Sequence, residues 1–210
     1  MEADGRGPDA GFLRYSVKNR VLNASGVLEL LRESFLRAKV IRVGAYDYIV
    51  HPLLDGVPAV EPELLEEVVD AMSGIKDMGC DLIVAPEAMA LPLAAPLSLS
   101  ARIPYVVVRK RAYGLEGEIR IDQSTGYSNG TMFLNGVRGG DKVVVVDDVL
   151  STGGTLRGLM KALREAGAEV LKVMAIVDKG GRVEELEGEL EVEIECLLRL
   201  EIQDGRVIIK

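Results

Sequence analysis

The sequence predicts an α/β protein whose central β-sheet is mostly parallel and is flanked by helices. The first observation is a set of short runs rich in β-branched residues, whose continuous apolar character is typical of strands covered on both faces. The second is the helical stretch that follows a run, at 89–100 and again at 154–166, which suits a crossover between parallel strands. The runs are DLIVA at 81–85, PYVVV at 104–108, KVVVVDD at 142–148 and VLKVMAIV at 170–177.

The segment ahead of the sheet predicts a tail, a helix and a hairpin. The opening MEADGRGPDAG at 1–11 mixes glycine, proline and charge without periodicity, so we expect a flexible tail, which we place at 1–24. A hairpin is predicted from Val40 to Val50, where the residues alternate about a glycine, and Pro52 ends it. Behind Ser25, helical spacing of apolar residues predicts an amphipathic helix with a stripe of Val27, Leu28, Leu31, Phe35 and Leu36.

Other elements follow in chain order. Pro62 suits the first turn of a helix whose apolar face is formed by Leu64, Leu65, Val68, Val69 and Met72. The polar stretch from Arg109 to Gly130 is long for a compact α/β domain, and it is interpreted as a disordered insertion or a functional lid. The C-terminal residues alternate around the turn signal Asp204-Gly205 and predict a terminal hairpin. The helix at 154–166 should bury Leu156, Leu159, Met160 and Leu163.

Composition excludes several classes of function. The chain has 33 acidic and 25 basic side chains, and the resulting net charge of −8 disfavours general binding to nucleic acids or anionic membranes. Cys80 and Cys196 have no CxxC partner, so neither a disulfide framework nor a zinc site is indicated. The sequence lacks a run of about 18 apolar residues and a signal-peptide layout, so we expect a cytoplasmic protein with no membrane partner.

The most informative window is VVVVDDVLSTGGT at 143–155, an apolar strand followed by two carboxylates and then a loop that opens a helix. In parallel sheets, ligands bind beyond the carboxyl ends of the strands, where a helix N-terminus directs its N–H groups at an anion. Glycines let the backbone wrap closely around a phosphate, and hydroxyls add donors. Asp147 and Asp148 would repel a phosphate but can accept hydrogen bonds from the paired hydroxyls of a ribose. The loop expected to hold a ribose 5-phosphate comprises Ser151, Thr152, Gly153, Gly154 and Thr155.

Other phosphate loops fit this window less well. A Walker loop needs a lysine where Thr155 stands, and no GxGxxG follows a predicted strand. The window instead resembles the phosphoribosyl-pyrophosphate signature of the type I phosphoribosyltransferases, and the resemblance extends from about Val40 onward, closest to the archaeal hypoxanthine/guanine enzymes. It implies the type I phosphoribosyltransferase fold over 25–210, with a small hood from about 40–60 and from the C-terminal segment 178–210.

The resemblance implies an activity and a set of partners. A purine nitrogen displaces pyrophosphate from phosphoribosyl pyrophosphate (PRPP), with Mg²⁺ held mainly by the substrate, in a homodimer or higher homo-oligomer. Asp147 and Asp148 then bind the ribose hydroxyls and act in catalysis. Glu87, Ala88 and Met89 form the turn that binds PRPP through its pyrophosphate. In the basic cluster of the polar stretch, Arg109 and Lys110 would reach the pyrophosphate as catalytic cations.

The base is assigned from Lys179, which follows a predicted strand where the oxopurine enzymes of the family keep a lysine. An ammonium group only donates, so it suits a 6-oxo group and favours hypoxanthine or guanine over adenine. Ser151 stands where human-type enzymes keep an aspartate near purine nitrogen 7, so the proton is left to water, Glu87 or a hood residue such as Asp55, or is already partly lost from the purine. Adenine phosphoribosyltransferase and a PRPP-sensing transcriptional regulator remain the alternatives.

The single histidine, His51, stands next to Pro52 at the end of a predicted strand. A lone histidine in such a place is more often structural than catalytic. We therefore expect His51 to stabilise the fold rather than to take part in a reaction.

Overall fold

The computed structural model describes residues 28–44, 46–124 and 129–210. Its helices are α1 (Glu29–Leu36), α2 (Pro52–Asp55), α3 (Pro62–Ala71), α4 (Leu91–Ala101), α5 (Gly154–Glu165) and α6 (Val183–Leu190), with a 3₁₀ turn at Ser73–Asp77. Its strands are β1 (Lys39–Val43), β2 (Tyr46–Val50), β3 (Leu82–Pro86), β4 (Tyr105–Val108), β5 (Ile119–Ser124), β6 (Asn129–Leu134), β7 (Lys142–Leu150), β8 (Glu169–Lys179), β9 (Ile194–Gln203) and β10 (Arg206–Ile209).

The central sheet has six strands in the order β10-β9-β8-β7-β3-β4. Neighbouring strands from β4 to β9 pair in parallel, and β10 returns antiparallel to β9 as the predicted terminal hairpin. The four apolar runs of the sequence form β3, β4, β7 and β8, so the predicted parallel sheet is confirmed. None of the helices in the described part of the chain combines the length and apolar character that crossing a membrane demands.

The sheet separates two hydrophobic cores. In β7, Val144 and Val146 pack into the core that also contains α1, α3 and α4, whereas Val143 and Val145 pack into the core beneath α5 and α6. All four valines are fully buried because alternate side chains of one strand point to opposite faces. A run without polar alternation is therefore required at this position, which is why the sequence pattern identified the strand.

The N-terminal helix forms as predicted, with one difference in its buried face. Leu31 and Phe35 are fully buried, but Leu36 is 57 % exposed, because it ends the helix and lies outside the stripe. The carboxylate of Glu67 in α3 accepts hydrogen bonds from the backbone N–H groups of Leu30 and Leu31, at 3.1 and 2.7 Å. A side chain from another helix thus satisfies donors at this helix start. Ser25, Val27 and the tail at 1–24 lie outside the described residues.

The polar stretch from Arg109 to Gly130 contains strand structure that the sequence analysis missed. Its β5 pairs with β6 as an antiparallel hairpin, so the expectation of a disordered insertion is wrong for the described residues, which exclude 125–128. Ile121, Met132 and Leu134 are buried, while the residues between them include charged and hydroxyl side chains. A short alternation of apolar and polar residues is difficult to recognise as a strand within a largely polar sequence.

The hairpin docks on α5 through Gly158. A Cβ atom at this glycine would lie 2.8 Å from Cγ2 of Ile121 and 2.9 Å from the carbonyl oxygen of Asp122. We expect Gly158→Ala to destabilise the protein by about 1–2 kcal/mol, because overpacking outweighs the better helix propensity of alanine. Denaturant titration measures this change, and Gly188→Ala in α6 is the control. No atom lies within 4 Å of that added Cβ, so equal effects of the two substitutions would contradict close docking.

His51 is fully buried and caps the short helix α2. Its Nδ1 accepts a hydrogen bond from the backbone N–H of Leu53 at 3.2 Å, and its ring stacks on Phe35 with centroids 3.7 Å apart. The hydroxyl of Ser34 donates to the carbonyl of Leu31, so Nε2 of His51 donates to that hydroxyl oxygen at 2.9 Å. These partners require the neutral ring with its proton on Nε2. The structural role predicted for this histidine fits the geometry.

The fold should lose stability in mild acid through His51. Burial lowers the pKa of His51 from 6.5 to about 4, so the unfolded chain takes up a proton at a higher pH than the folded protein. Stability is therefore fully present above pH 6.5 and is lost as the pH falls towards 4, by up to about 3 kcal/mol. Denaturant titrations at pH 7 and 4.5 measure this loss. His51→Asn keeps a capping acceptor and should lack this component, so an identical pH dependence in both proteins would refute it.

Candidate active site

A cavity of about 350 Å³ lies beyond the carboxyl ends of β3, β7 and β8. The hairpin β1–β2 contributes Tyr46, Tyr48 and Ile49 to its wall. Two candidate residues do not line it: Arg109, predicted to act on the pyrophosphate, and Asp55, named as a possible proton acceptor. Those that do are Glu87, Ala88, Met89, Lys110, Asp147, Asp148, Ser151, Thr152, Gly153, Gly154, Thr155 and Lys179. Segments far apart in the sequence thus meet at one opening.

The two aspartates belong to the last part of β7, which continues to Leu150. The backbone N–H of Asp148 donates to Oδ1 of Asp147 at 2.9 Å. Burial raises the pKa of Asp147, and burial together with the charge of Asp147 raises the pKa of Asp148 well above its ordinary value. Two adjacent carboxylates in this state favour ligands that bring hydrogen-bond donors or positive charge.

The loop after β7 leads directly into α5. Gly153 adopts the left-handed conformation with φ of 75°, and a Cβ there would lie 2.5 Å from Cδ2 of Leu186 in α6. Only glycine meets both conditions without a shift of the chain. The helix begins at Gly154, so the cavity is lined by the N-terminal turn of a 12-residue helix. The N–H groups of a first helical turn have no partner within their helix, which makes this end of the cavity suited to an anion.

The turn after β3 is tied to the segment after β4 by Glu87. Its carboxylate accepts a hydrogen bond from the backbone N–H of Lys110 at 3.0 Å and forms an ion pair with Nε of Arg109 at 2.9 Å. Its own N–H donates to the carbonyl of Val108 at 3.0 Å. The peptide bond between Glu87 and Ala88 is cis. Since the Glu87 side chain binds within the protein, its turn offers a ligand mainly backbone groups.

Lys179 ends β8 and reaches across to the hairpin β1–β2. Its Nζ donates to the carbonyl oxygen of Asp47 at 2.6 Å and lies 3.8 Å from the ring centroid of Tyr46. The Tyr46 hydroxyl lies 3.1 Å from Oγ of Ser151. The hairpin β1–β2 therefore contacts both the loop at 151–155 and Lys179.

The tyrosines of β2 are site residues that the sequence analysis missed. Both tyrosines flank Asp47 in a strand-like run, and the sequence patterns typical of a phosphate site include no aromatic residue that would identify them. Tyr48 donates to Oδ1 of Asp55 at 2.5 Å, and Oδ2 of Asp55 accepts from the backbone N–H of His51 at 2.9 Å. The carboxylate of Asp55 is thus engaged within the hairpin and α2.

The described residues contain no group of three or more carboxylate, histidine or cysteine side chains placed to hold a metal ion. Mg²⁺ commonly binds through one or two carboxylates together with substrate phosphates. The adjacent Asp147 and Asp148, with their raised pKa values, fit a cation that is held chiefly by a substrate.

The parallel sheet, the aspartate pair and the anion-binding helix start define the class of protein. The family model described as "Phosphoribosyl transferase domain" matches residues 62–195, and the chain belongs to this family. The predicted type I phosphoribosyltransferase fold is confirmed.

Several relatives carry a more particular name. The chain is 46 % identical to the hypoxanthine/guanine phosphoribosyltransferase of Methanobacterium paludis, over 88 % of this chain and 97 % of that protein. It is 47 % identical to the enzyme of the same name from Methanocaldococcus infernus, over 86 % of this chain and 99 % of that protein.

Solved structures support the fold. The adenine phosphoribosyltransferase of Thermoanaerobacter pseudethanolicus superposes with a TM-score of 0.66 at 23 % identity, covering 80 % of this chain and 99 % of that one. The adenine phosphoribosyltransferase of Leishmania tarentolae gives a TM-score of 0.68 at 19 % identity, covering 85 % and 89 %. At these identities the likeness bears on the fold alone.

Proposed function

We propose that this protein is a purine-salvage enzyme that converts hypoxanthine or guanine and PRPP into IMP or GMP and pyrophosphate. One observation carries the proposal: a single cavity brings together the helix start at Gly154, the aspartate pair of β7 and Lys179. These groups match the phosphate, the ribose diol and the oxopurine of the product. The names of the archaeal relatives agree with this assignment.

Each part of the cavity has a role in this reaction. The loop at 151–155 binds the 5-phosphate, and Asp147 and Asp148 accept hydrogen bonds from the ribose hydroxyls. The turn at 87–89 binds the pyrophosphate through backbone groups, and Lys110 stabilises the negative charge that develops on it. Arg109, which lies outside the cavity wall and pairs with Glu87, adds positive charge beside this turn. Mg²⁺, when bound, neutralises part of the diphosphate charge.

The oxopurine is selected by Lys179. One of its three protons is donated to the carbonyl of Asp47, which leaves donors for the 6-oxo group of hypoxanthine or guanine. The 6-amino group of adenine would instead place its N–H donors against those of the Lys179 ammonium group. Glu87 and Asp55 are both engaged within the protein, so the purine loses its proton to water or reacts in a partly ionised form.

The assay for this function offers PRPP and Mg²⁺ with each purine in turn. Formation of IMP and GMP is the expected result. Nucleotide formed from adenine alone would overturn the base assignment, and the absence of product with every base would overturn the enzyme assignment.

Lys179→Met should impair use of the base more than use of PRPP. The substitution removes the donor but keeps the length of the side chain, so we expect KM for hypoxanthine to rise at least about tenfold and KM for PRPP to change less than about twofold. Steady-state kinetics measures both constants. Lys161→Met, at an exposed position of α5, is the control; equal increases in both constants for Lys179→Met would indicate a structural lysine instead.

We further propose a homodimer or higher homo-oligomer that works in the cytoplasm. Cys80 and Cys196 are free thiols, which agrees with a reducing compartment. Light scattering measures the oligomeric state.

A further inference from the structure

The loop at 151–155 is supported from behind by α6, a helix that does not line the cavity. Leu186 of α6 lies against Gly153, since a Cβ there would approach its Cδ2 to 2.5 Å. Arg157, in the first part of α5, connects the same two elements. Its Nη1 donates to the carbonyl oxygen of Thr152 at 2.7 Å.

Glu189 of α6 fixes the direction of the Arg157 side chain. Nε of Arg157 donates to Oε1 and Oε2 of Glu189 at 2.7 and 2.9 Å, and Nη2 donates to Oε2 at 2.6 Å. A bidentate pair of this kind holds the planar guanidinium in one orientation. With the fork occupied on one side by Glu189, the remaining Nη1 is aimed at the loop carbonyl.

The charge of Glu189 has no evident benefit for an anion site. A carboxylate near a bound phosphate weakens the binding of that phosphate by repulsion. Glu185 adds a second carboxylate, which lies 3.8 Å from Arg157. Both carboxylates are about half exposed, at 54 and 45 % for Glu185 and Glu189. The hydrogen bonds of Glu189 to Arg157 are therefore the way in which Glu189 acts on the loop.

We propose that Arg157 and Glu189 are positioning residues for the PRPP 5-phosphate loop. Arg157 holds the Thr152 carbonyl, so that the N–H groups of the loop keep the arrangement that binds the phosphate. Glu189 acts only through Arg157. This inference rests on the function proposed above and extends it to residues outside the cavity wall.

The experiment compares the full-length wild type with Glu189→Gln and with the matched variant Glu191→Gln. Glu191 is exposed and follows the last residue of α6 as its C-cap, so each substitution removes one negative charge from this part of the protein. We expect Glu189→Gln to raise KM for PRPP about five- to tenfold, with KM for hypoxanthine within about twofold of the wild type. Glu191→Gln should leave both constants unchanged.

The sign of the effect separates positioning from charge. If Glu189 acted as a charge alone, its neutralisation would lower KM for PRPP, and that result would overturn the proposal, as would an unchanged KM. A merely structural role would raise both KM values together and lower the melting temperature, which also contradicts it.

Arg157→Met supplies the second arm. If Glu189 acts through Arg157, the Glu189→Gln substitution should no longer raise KM for PRPP in the Arg157→Met protein, because the coupling between the two residues is lost. Full additivity of the two effects would overturn the proposal. Titration calorimetry of the wild type with PRPP separates failure of the proposed function from failure of this inference. A wild type that shows neither binding nor turnover contradicts the proposed function. An active wild type together with a Glu189→Gln variant whose KM for PRPP is unchanged contradicts this inference alone.

Discussion

Replacing Asp147 and Asp148 together with asparagine is expected to abolish phosphoribosyl transfer while making the protein more stable at pH 7. Asparagine keeps the shape of each side chain but loses the charge that we propose binds the ribose hydroxyls, so kcat/KM should fall by about a thousandfold or more. The pKa values of both carboxyls are raised by burial, which means that their charged forms cost folding free energy. Removing the charges should raise the free energy of unfolding by about 0.5–2 kcal/mol.

The pH dependence gives this prediction a definite sign. A carboxyl whose pKa is raised in the folded state contributes stability below its unfolded pKa, near 3.9, and that contribution is lost as the pH rises through the folded value. The advantage of the double variant should therefore be largest at pH 7 and should shrink towards pH 4. Turnover assays and denaturant titrations at both pH values measure the two effects. A variant that keeps near-normal activity would contradict the diol role, and a less stable one would contradict the cost of burial.

Gly153→Ala is expected to weaken PRPP binding at least tenfold and to destabilise the fold. The residue has φ of 75°, and its new Cβ would lie 2.5 Å from Leu186 and 3.0 Å from Nη1 of Arg157. The left-handed conformation costs alanine about 1–2 kcal/mol, and overpacking adds about 1–3 kcal/mol, so the loop must move from its place at the helix start. Calorimetry with PRPP and thermal unfolding measure the two losses.

Gly140→Ala is the matched control for Gly153→Ala. Gly140 also has a positive φ, of 89°, but no atom lies within 4 Å of an added Cβ. The Gly140→Ala variant should lose stability through the backbone conformation alone, without a clash, and its affinity for PRPP should not change. If both variants bind PRPP as tightly as the wild type, the shape of the loop at Gly153 is not needed for the phosphate.

The central sheet could be predicted because each buried strand carries its own signal. The four consecutive valines of β7 contact two cores at once, and only an unbroken apolar run satisfies both. By contrast, α6 was missed because its eight residues bury only Leu186 and Leu190 beneath a largely acidic surface. The hairpin β5–β6 was missed for a similar reason, since its buried side chains are separated by polar ones.

The candidate site was predictable where its residues are neighbours in the chain. The aspartate pair and the loop at 151–155 lie within one window, so their chemistry is visible in a single stretch of sequence. Tyr46 reaches Ser151 across 105 positions, and Arg157 meets Glu189 across 32. Pairs of this kind depend on how the elements pack, and no local pattern records them.

The place of the cavity follows from the order of the strands. From β3 the chain passes through α4 to β4 at one edge, whereas from β7 it passes through α5 to β8 in the other direction, with α4 and α5 packed in opposite cores. Between β3 and β7 the connections diverge, and this topological switch point leaves a crevice above the carboxyl ends of the two strands. The crevice exists whatever residues surround it. We therefore expect that the loops and the hairpin β1–β2 can change to accept another base, while the proposed sugar-phosphate site keeps its place at the switch point.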